Sequence, residues 1–258
     1  MRRRSPDKKP EITEKAFLDA YDPSAFERPS VTVDVALLSV VDGALFTLLL
    51  QRPEHPHKGK WSLPGGFVRT DESLDTAARR VLAAKGRLAS VFLEQLYTFG
   101  DPKRDPRMRI ITVAYYALVD RERFESAAKQ ADSGLVVARI EVPWEGETGG
   151  PVHVHIDSAE GGKSASLAFD HADILGMAVK RIRGKLDYSP IGFQLLGDTF
   201  TLLDLQRVHE TVLERPLNKD SFRRRMLASG QLEATGEMQR AVEHRPAELY
   251  RFVKRSAV

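Results

Sequence analysis

Apolar and polar side chains alternate over residues 30–41, a period of two that predicts a β-strand. Asp42-Gly43 follows, a dipeptide typical of tight hairpin turns, and the apolar run at 44–50 predicts the returning strand. Later apolar runs rich in β-branched and aromatic residues predict further strands, and runs with helical spacing predict helices. The predicted strands are 91–99, 108–119, 134–142, 152–156 and 166–169, and the predicted helices are 13–20, 72–85, 121–131 and 170–183.

The C-terminal part of the chain predicts two short helices in place of strands. Thr201 and Asp204 form a capping pair at the start of the first helix. Asn218 caps the second helix, on which Phe222 and Met226 are four residues apart and face the core. Two helices joined by a tight turn and followed by two short apolar runs are typical of a winged helix-turn-helix domain, whose second helix enters a DNA groove.

Basic and polar side chains on the second predicted helix and on the wing are candidates for DNA contact. The candidate residues are Lys219, Ser221, Arg223, Arg224, Arg225, Arg240 and Arg245. Arginine and lysine in such positions bind phosphates, and arginine also reads base edges. The alternative is a solvated helix face, because the C-terminal part carries nearly equal numbers of basic and acidic residues.

A loop followed by a helix at residues 61–88 resembles the Nudix box of nucleotide hydrolases. The positions that match the box are Gly66, Glu72, Arg80, Leu82 and Leu88. Val81, Ala84 and Lys85 stand where Nudix hydrolases carry glutamate. Residues three and four apart share one helical face, on which those glutamates would bind Mg²⁺. The resemblance therefore implies a nucleotide-binding scaffold that has no catalytic residue, no metal site and no required cofactor.

Composition narrows the remaining classes of protein. The chain has no cysteine, so disulfides and thiolate metal sites are excluded. The sequence shows neither an apolar stretch of about 18 residues nor a secretory segment, so we expect a cytoplasmic protein with no membrane partner. A net charge of +3 argues only weakly for nucleic-acid binding. Residues 1–10 carry five basic groups, one acid and two prolines, and this composition predicts a disordered arm.

A basic loop at residues 99–107 joins two predicted strands. It contains Lys103, Arg104 and Arg107, and Arg109 lies just beyond it. Guanidinium groups bind phosphates in pairs and stay charged, so the loop is a candidate diphosphate site. The equally weighted alternative is a surface loop held by its own ion pairs between aspartate and arginine.

Several longer strings and the order of the parts resemble the Nudix-related transcriptional regulators of NAD metabolism, the NrtR family. The strings include Gln-Leu-Tyr-Thr-Phe-Gly-Asp-Pro at 95–102, Arg-Asp-Pro-Arg at 104–107 and Ser-Phe-Arg-Arg at 221–224. The resemblance implies an α+β protein, with a Nudix-like sandwich and a mixed sheet between helices, followed by a winged helix-turn-helix domain. The predicted domains are a disordered basic arm at 1–10, a ligand-sensing domain at 11–169, a linker helix at 170–185 and a DNA-binding domain at 186–258.

The same resemblance implies a function. The Nudix-like domain is expected to bind ADP-ribose or a related NAD-derived nucleotide as an effector. A symmetric homodimer would bind a palindromic operator near NAD biosynthesis genes as a repressor, and the effector would release it. Helix 170–184 is the candidate that couples the two sites.

Individual roles follow from the resemblance as hypotheses. Arg52, Arg104, Arg107 and Arg109 would hold the diphosphate, Gly65 and Gly66 would let the backbone approach it, and Phe99 or Trp61 would stack on a base. Arg224 would contact a base edge, and the other basic residues of the DNA-binding set would contact phosphates. Two alternatives stay open: a hydrolase of ADP-ribose or of nucleoside diphosphate sugars, and a regulator of the same architecture that controls sugar catabolism.

Overall fold

The computed structural model describes residues 12–129, 134–156, 163–240 and 245–253. The predicted basic arm at 1–10 lies outside the described residues. The described ranges form a large mixed sheet covered by helices and a smaller C-terminal unit of two helices and a two-stranded sheet. No helix within these ranges is long and apolar enough to cross a membrane.

The large sheet mixes parallel and antiparallel strands, as predicted. Its strands are β1 (Ser30–Val41), β2 (Ala44–Gln51), β3 (Trp61–Ser62), β4 (Gly65–Phe67), β5 (Phe92–Phe99), β6 (Ile110–Leu118), β7 (Leu135–Glu141), β8 (His153–Ile156) and β9 (Lys163–Ser164). Their order is β5-β6-β1-β2-β7-β8-β9, with β4 beside β1 and β3 beside β2. The central pair β1 and β6 is parallel, and the neighbouring pairs are antiparallel.

The hairpin between β1 and β2 confirms the prediction from Asp42-Gly43. Both residues have positive φ, 46° and 77°. A two-residue hairpin turn of type I′ requires positive φ at both positions, and aspartate followed by glycine adopts it readily. Val41 pairs with Ala44 across the turn, so the register is set at the start of the sheet.

Helices cover both faces of the sheet. The helices of this part are α1 (Glu14–Ala20), α2 (Leu74–Gly86), α3 (Arg121–Lys129) and α4 (His171–Lys185). On one face, Val81 of α2 and Phe124 of α3 are buried in the same apolar cluster. On the other face, Ile174 and Ala178 of α4 are buried in a second cluster. The layers are helix, sheet and helix, which confirms the predicted sandwich.

The strand predicted at 166–169 is wrong. The strand in this region is β9, and Leu167 makes only an isolated bridge with Trp61. Phe169 has a φ of 53°, in the left-handed region, so the backbone cannot continue as an extended strand there. This bend places Phe169 and the start of α4 beside the loops that follow β2 and β5.

The C-terminal unit is a winged helix-turn-helix domain, as predicted. Its elements are α5 (Leu202–Leu213), α6 (Lys219–Ala228), β10 (Leu232–Met238) and β11 (Glu248–Phe252). Thr201 and Asp204 form the predicted capping box of α5, and Asn218 Oδ1 accepts the N–H of Ser221 at the start of α6. Phe222 on α6 is buried in a small apolar cluster that also includes Tyr250 of the wing.

One apolar cluster joins the two parts of the chain. Ile182 at the end of α4 and Val208 and Val212 on α5 belong to the cluster that also fills one face of the large sheet. Helix α4 is therefore a layer of the sandwich and also a neighbour of the C-terminal unit. The domain boundaries at 170 and 186 stay predictions.

Candidate ligand cavity and nucleic-acid interface

A cavity of about 470 Å³ opens between β1, β4 and the loops after β2 and β5. Five of the predicted ligand residues line it, namely Arg52, Gly65, Gly66, Arg104 and Arg107. Further lining residues that carry polar chemistry are Asp34, Lys85, Asp105 and His171. Four cationic side chains and two carboxylates therefore face one cavity, a balance that suits an anionic ligand.

Three predicted residues lie outside the lining. Phe99 packs edge-on against Tyr97, with ring centroids 5.4 Å apart. Arg109 Nη1 donates to the Gly100 carbonyl at 2.8 Å, which ties it to the end of its own loop. Trp61 packs against the apolar cluster beneath α4.

Gly65 brings the backbone against the cavity floor. A Cβ atom at this position would lie 2.0 Å from Asp34 Oδ1, so only glycine fits there. A Cβ atom on Gly66 would meet Val81 Cγ2 at 3.2 Å, a closer contact than most side chains make. The two glycines therefore keep a narrow gap between β4, β1 and α2.

Arg104 is held at the floor of the cavity by two carboxylates. Its Nε and Nη2 donate to the two Asp170 oxygens at 2.9 and 2.7 Å, and Nη2 lies 3.5 Å from Asp34 Oδ2. Its side chain is 4% exposed. Burial lowers the pKa of Arg104, but the Asp170 carboxylate outweighs burial and raises it above its usual value. The guanidinium group is fixed before any ligand arrives.

The Asp34 carboxylate connects this arginine to two further groups. Thr112 Oγ1 donates to Asp34 Oδ2 at 2.7 Å, and His171 Nε2 lies 3.8 Å from Asp34 Oδ1. His171 Nδ1 accepts the N–H of Leu63 at 2.9 Å. Burial lowers the pKa of His171, so its imidazole is neutral near pH 7. Sequence reasoning missed Asp34 and His171, although an aspartate inside a strongly apolar strand is itself a signal of a special role.

Arg107 and Arg52 stand at the more open side of the cavity. Arg107 makes a two-point ion pair with Asp105, at 3.0 and 2.7 Å, and its side chain is 44% exposed. Arg52 donates through Nε to the Pro56 carbonyl at 2.8 Å and lies over the Phe169 ring at 4.8 Å. Desolvation, followed by the charge of the nearby Arg107, lowers the pKa of Arg52. In the described residues, no hydrogen-bond partner meets the terminal nitrogens of Arg52.

The retained box residues hold the loop onto the helix. Arg80 donates to both Glu72 oxygens, at 2.9 and 2.5 Å, and to the Phe67 carbonyl at 3.0 Å. Glu72 also accepts the Arg69 N–H at 2.9 Å. The Arg80 guanidinium and this N–H lower the pKa of Glu72 to about 2. The Glu72 carboxylate therefore holds the loop against α2.

A divalent cation of the kind that Nudix hydrolases use does not fit these residues. Val81 is buried among apolar side chains, Ala84 offers a methyl group, and Lys85 Nζ donates to the Gly65 carbonyl at 2.5 Å. Magnesium needs oxygen ligands, and an ammonium group repels it. In the described ranges, no group of three or more His, Cys, Asp or Glu side chains could hold a metal ion.

The predicted DNA-contacting residues lie on the exposed side of α6 and the wing. Lys219, Ser221, Arg223, Arg224, Arg225, Arg240 and Arg245 are all exposed. Arg223 and Arg245 line one cleft between α5, α6 and the wing, together with Lys219. Arg225 turns back to Asp187, with Nη1 3.0 Å from its Oδ1, and lies over the Phe222 ring. Arg224 has no comparable tether in the described residues.

A buried arginine connects the sandwich to the C-terminal unit. Arg183, at the end of α4, has a side chain that is 1% exposed. It donates to the carbonyls of Val212 on α5 and of Gly146 in a loop of the sandwich, at 2.7 and 3.0 Å, and pairs with Glu214 at 2.8 Å. Its guanidinium carbon lies 4.8 Å from the centre of the Trp144 ring. Sequence reasoning missed this joint.

Comparisons with known proteins agree with this arrangement. Residues 29–145 match the NUDIX domain family, and residues 192–252 match the NrtR DNA-binding winged helix domain family. The ADPR responsive transcriptional repressor NtrR of Acinetobacter baylyi is 37% identical over 242 residues, which are 93% of this chain and 88% of that protein. The chain belongs to the NrtR family.

Two more relatives of this NrtR-family chain are a regulator and a hydrolase. A crystal structure of NrtR from Shewanella oneidensis with a 27mer DNA is 33% identical, covers 86% of this chain and 93% of its own, and has a TM-score of 0.69. The ADP-ribose pyrophosphatase of Methanocaldococcus jannaschii is 31% identical over 104 residues, which are 40% of this chain and 58% of that protein. The likeness to the regulators covers most of this chain, and the likeness to the hydrolase covers less than half of it.

Proposed function

We propose that this NrtR-family chain is a transcriptional repressor that binds ADP-ribose in the cavity and operator DNA through α6 and the wing, without consuming its ligand. One observation carries the proposal: a Nudix scaffold with a cationic cavity, and an ammonium group at a metal-ligand position, shares its chain with a winged helix-turn-helix domain. The name of the Acinetobacter relative supports ADP-ribose as the effector.

The cavity divides its arginines between two tasks in this proposal. Arg52 and Arg107 are accessible and can turn towards a diphosphate, which guanidinium groups bind through paired N–H donors. Arg104 is held by Asp170 and Asp34, so it orders the floor and supplies positive potential, and a diphosphate competes with these two carboxylates for its guanidinium group. Gly65 and Gly66 allow the ligand to approach the β4 backbone.

The DNA-binding half follows the geometry of other winged helices. Helix α6 places Arg224 and Arg223 on its exposed side, where they can reach a major groove. A palindromic operator requires a homodimer, because each α6 reads one half-site. Target genes in NAD biosynthesis and action in the cytoplasm are parts of the same proposal.

Helix α4 offers a direct connection between the two sites. Its first residue follows Asp170, which holds Arg104 at the cavity floor. Its last turn carries Arg183, which holds the end of α5. A ligand that changes the position of Arg104 can therefore change the position of the DNA-binding unit, and such coupling is typically worth ~1–3 kcal/mol.

DNA binding with and without ADP-ribose tests the proposal. Binding of the full chain to the duplex upstream of its own gene neighbourhood is measured by fluorescence anisotropy at fixed salt, because phosphate contacts make affinity fall steeply with ionic strength. We expect ADP-ribose to weaken binding about 5–150-fold without added metal and to be recovered intact. Cleavage of ADP-ribose on addition of Mg²⁺ at an ordinary enzymatic rate, with no DNA binding, would favour the hydrolase instead.

A further inference from the structure

Lys85 places an ammonium group at a position of the box where Nudix hydrolases carry a glutamate. Lys85 is in the last turn of α2, and its Nζ donates to the Gly65 carbonyl across the gap between α2 and β4. The side chain lines the cavity together with Arg52 and Arg107. The residue as a whole is exposed, but desolvation lowers the pKa of Lys85.

The contact with Gly65 is the kind that a divalent cation would make. Backbone carbonyl oxygens and carboxylates are ligands of Mg²⁺, and Lys85 stands at a box position where hydrolases carry a glutamate. The ammonium group thus meets the carbonyl without a metal in between. A Gly65 carbonyl occupied in this way leaves two N–H donors of the ammonium group for other acceptors.

Charge in the cavity favours an anionic acceptor for those donors. Arg104 is neutralised by Asp170 and Arg107 by Asp105, whereas Lys85 has only the neutral Gly65 carbonyl as a hydrogen-bond partner in the described part of the chain. The Asp34 carboxylate attracts the Lys85 ammonium group but makes no ion pair with it. A partly desolvated cation that has no ion-pair partner among the described residues is a strong site for a phosphate.

We propose that the Lys85 ammonium group binds the diphosphate of the nucleotide in the place of a divalent cation, so that ligand binding needs no metal. This inference rests on the proposed function, because it names how the same cavity holds its ligand. A covalently attached ammonium group supplies one positive charge and hydrogen-bond donors. It cannot take a water molecule into a coordination sphere and lower the pKa of that water, which is how a metal generates a nucleophile.

Calorimetric titration of the full chain tests the inference with two probes, ADP-ribose and inorganic pyrophosphate, each in EDTA and in Mg²⁺. The variants are Lys85→Met and the matched control Lys129→Met. Lys129 is also in the last turn of a helix, α3, is exposed, and does not line the cavity. A second variant, Lys85→Arg, keeps the charge if the methionine substitution disturbs the fold.

The expected results are specific. Wild-type affinity for ADP-ribose is the same within about twofold in EDTA and in Mg²⁺. Lys85→Met weakens binding of both probes roughly tenfold to a hundredfold, as expected for a lost charge-assisted hydrogen bond, while Lys129→Met leaves it unchanged. Lys85→Arg restores part of the lost affinity.

Two results would overturn the inference. One is that the wild-type protein binds the probes only in Mg²⁺ and not in EDTA, a result that can be obtained without any variant. The other is a folded Lys85→Met that binds both probes like wild type. The second probe separates failure of this inference from failure of the proposed effector. If pyrophosphate binds through Lys85 and ADP-ribose does not bind, the inference stands and the proposed effector is wrong.

Discussion

Replacement of Arg183 by methionine is the sharpest test of the joint between the two parts of the chain. The buried guanidinium group donates to Val212 on α5 and to Gly146 in the sandwich, and pairs with Glu214. Methionine keeps the length of the aliphatic stem and removes every donor. Three carbonyls, those of Val212, Gly146 and Trp144, then lose a charged donor in a region that water reaches poorly.

The magnitude follows from burial. Breaking a buried ion pair by removing one partner costs ~3–5 kcal/mol, and a hydrogen bond to a charged group is worth ~1.5–3 kcal/mol. Glu214 is 46% exposed and can turn to water, so its share is small. We expect Arg183→Met to lower the free energy of unfolding by ~3 kcal/mol. Denaturant titration followed by tryptophan fluorescence measures this, because Trp144 lies beside the guanidinium group.

Arg181 provides the matched control on the same helix. It donates to the Leu96 carbonyl at 2.7 Å and lies 3.7 Å from Glu94 Oε1, and both partners are on β5 of the sandwich. Its side chain is 34% exposed. We expect Arg181→Met to cost ~1 kcal/mol and to leave coupling intact. Arg183→Met should retain ADP-ribose affinity within about threefold and lose most of the effect of ADP-ribose on DNA binding, which is ~1–3 kcal/mol in typical allosteric proteins. Equal losses in the two variants, or unchanged coupling in Arg183→Met, would refute the role of Arg183.

Three other predictions concern the scaffold and the DNA-contacting helix. The Arg80 guanidinium group holds the pKa of Glu72 at about 2, below its unfolded value of 4.5. The ion pair therefore stabilises the fold above pH 4.5, and this stabilisation is lost as pH falls through about 2. The unfolding midpoint of Glu72→Gln should be lower than that of wild type at pH 7, and the difference should disappear near pH 2. Gly65→Ala should destabilise by ~1–3 kcal/mol and weaken ADP-ribose binding in calorimetry, whereas Gly100→Ala, which has room for a methyl group, should do neither. Arg224→Ala should cost ~1–3 kcal/mol on the operator alone, and Lys219→Ala should weaken binding to operator and random duplex alike; equal losses on both duplexes for both variants would contradict this division.

Local signals account for what the sequence predicted well. The hairpin at Asp42-Gly43 and the helix starts at Thr201 and Asn218 depend on residues within three positions of each other, so their chemistry is visible in the sequence. The Nudix scaffold and the winged helix also follow from short, ordered patterns. The failed strand at 166–169 ends at Phe169, whose left-handed backbone no residue preference would indicate.

Long-range pairing accounts for what the sequence could not predict. Arg104 could be assigned to a diphosphate or to ion pairs within its own loop, and its main partner is instead Asp170, at a separation of 66 residues. Arg107 does pair within the loop, with Asp105. The alternative of ion pairs within the loop therefore describes Arg107, and the diphosphate site stays a prediction.

In the proposed function, the two pairings of α4 let this helix couple the cavity to the C-terminal unit. A helix of 15 residues is about 22 Å long and bends little over that length. Asp170 ties its start to Arg104 at the cavity, and Arg183 ties its end to α5. A diphosphate that draws Arg104 away from Asp170 would leave a partly buried carboxylate without its counterion at the start of the helix. A movement of the helix start that relieves the unpaired charge is transmitted along the stiff helix to Val212. Asp170→Asn weakens the pair with Arg104 and leaves the contacts of Arg183 intact, so it should reduce the effect of ADP-ribose on DNA binding.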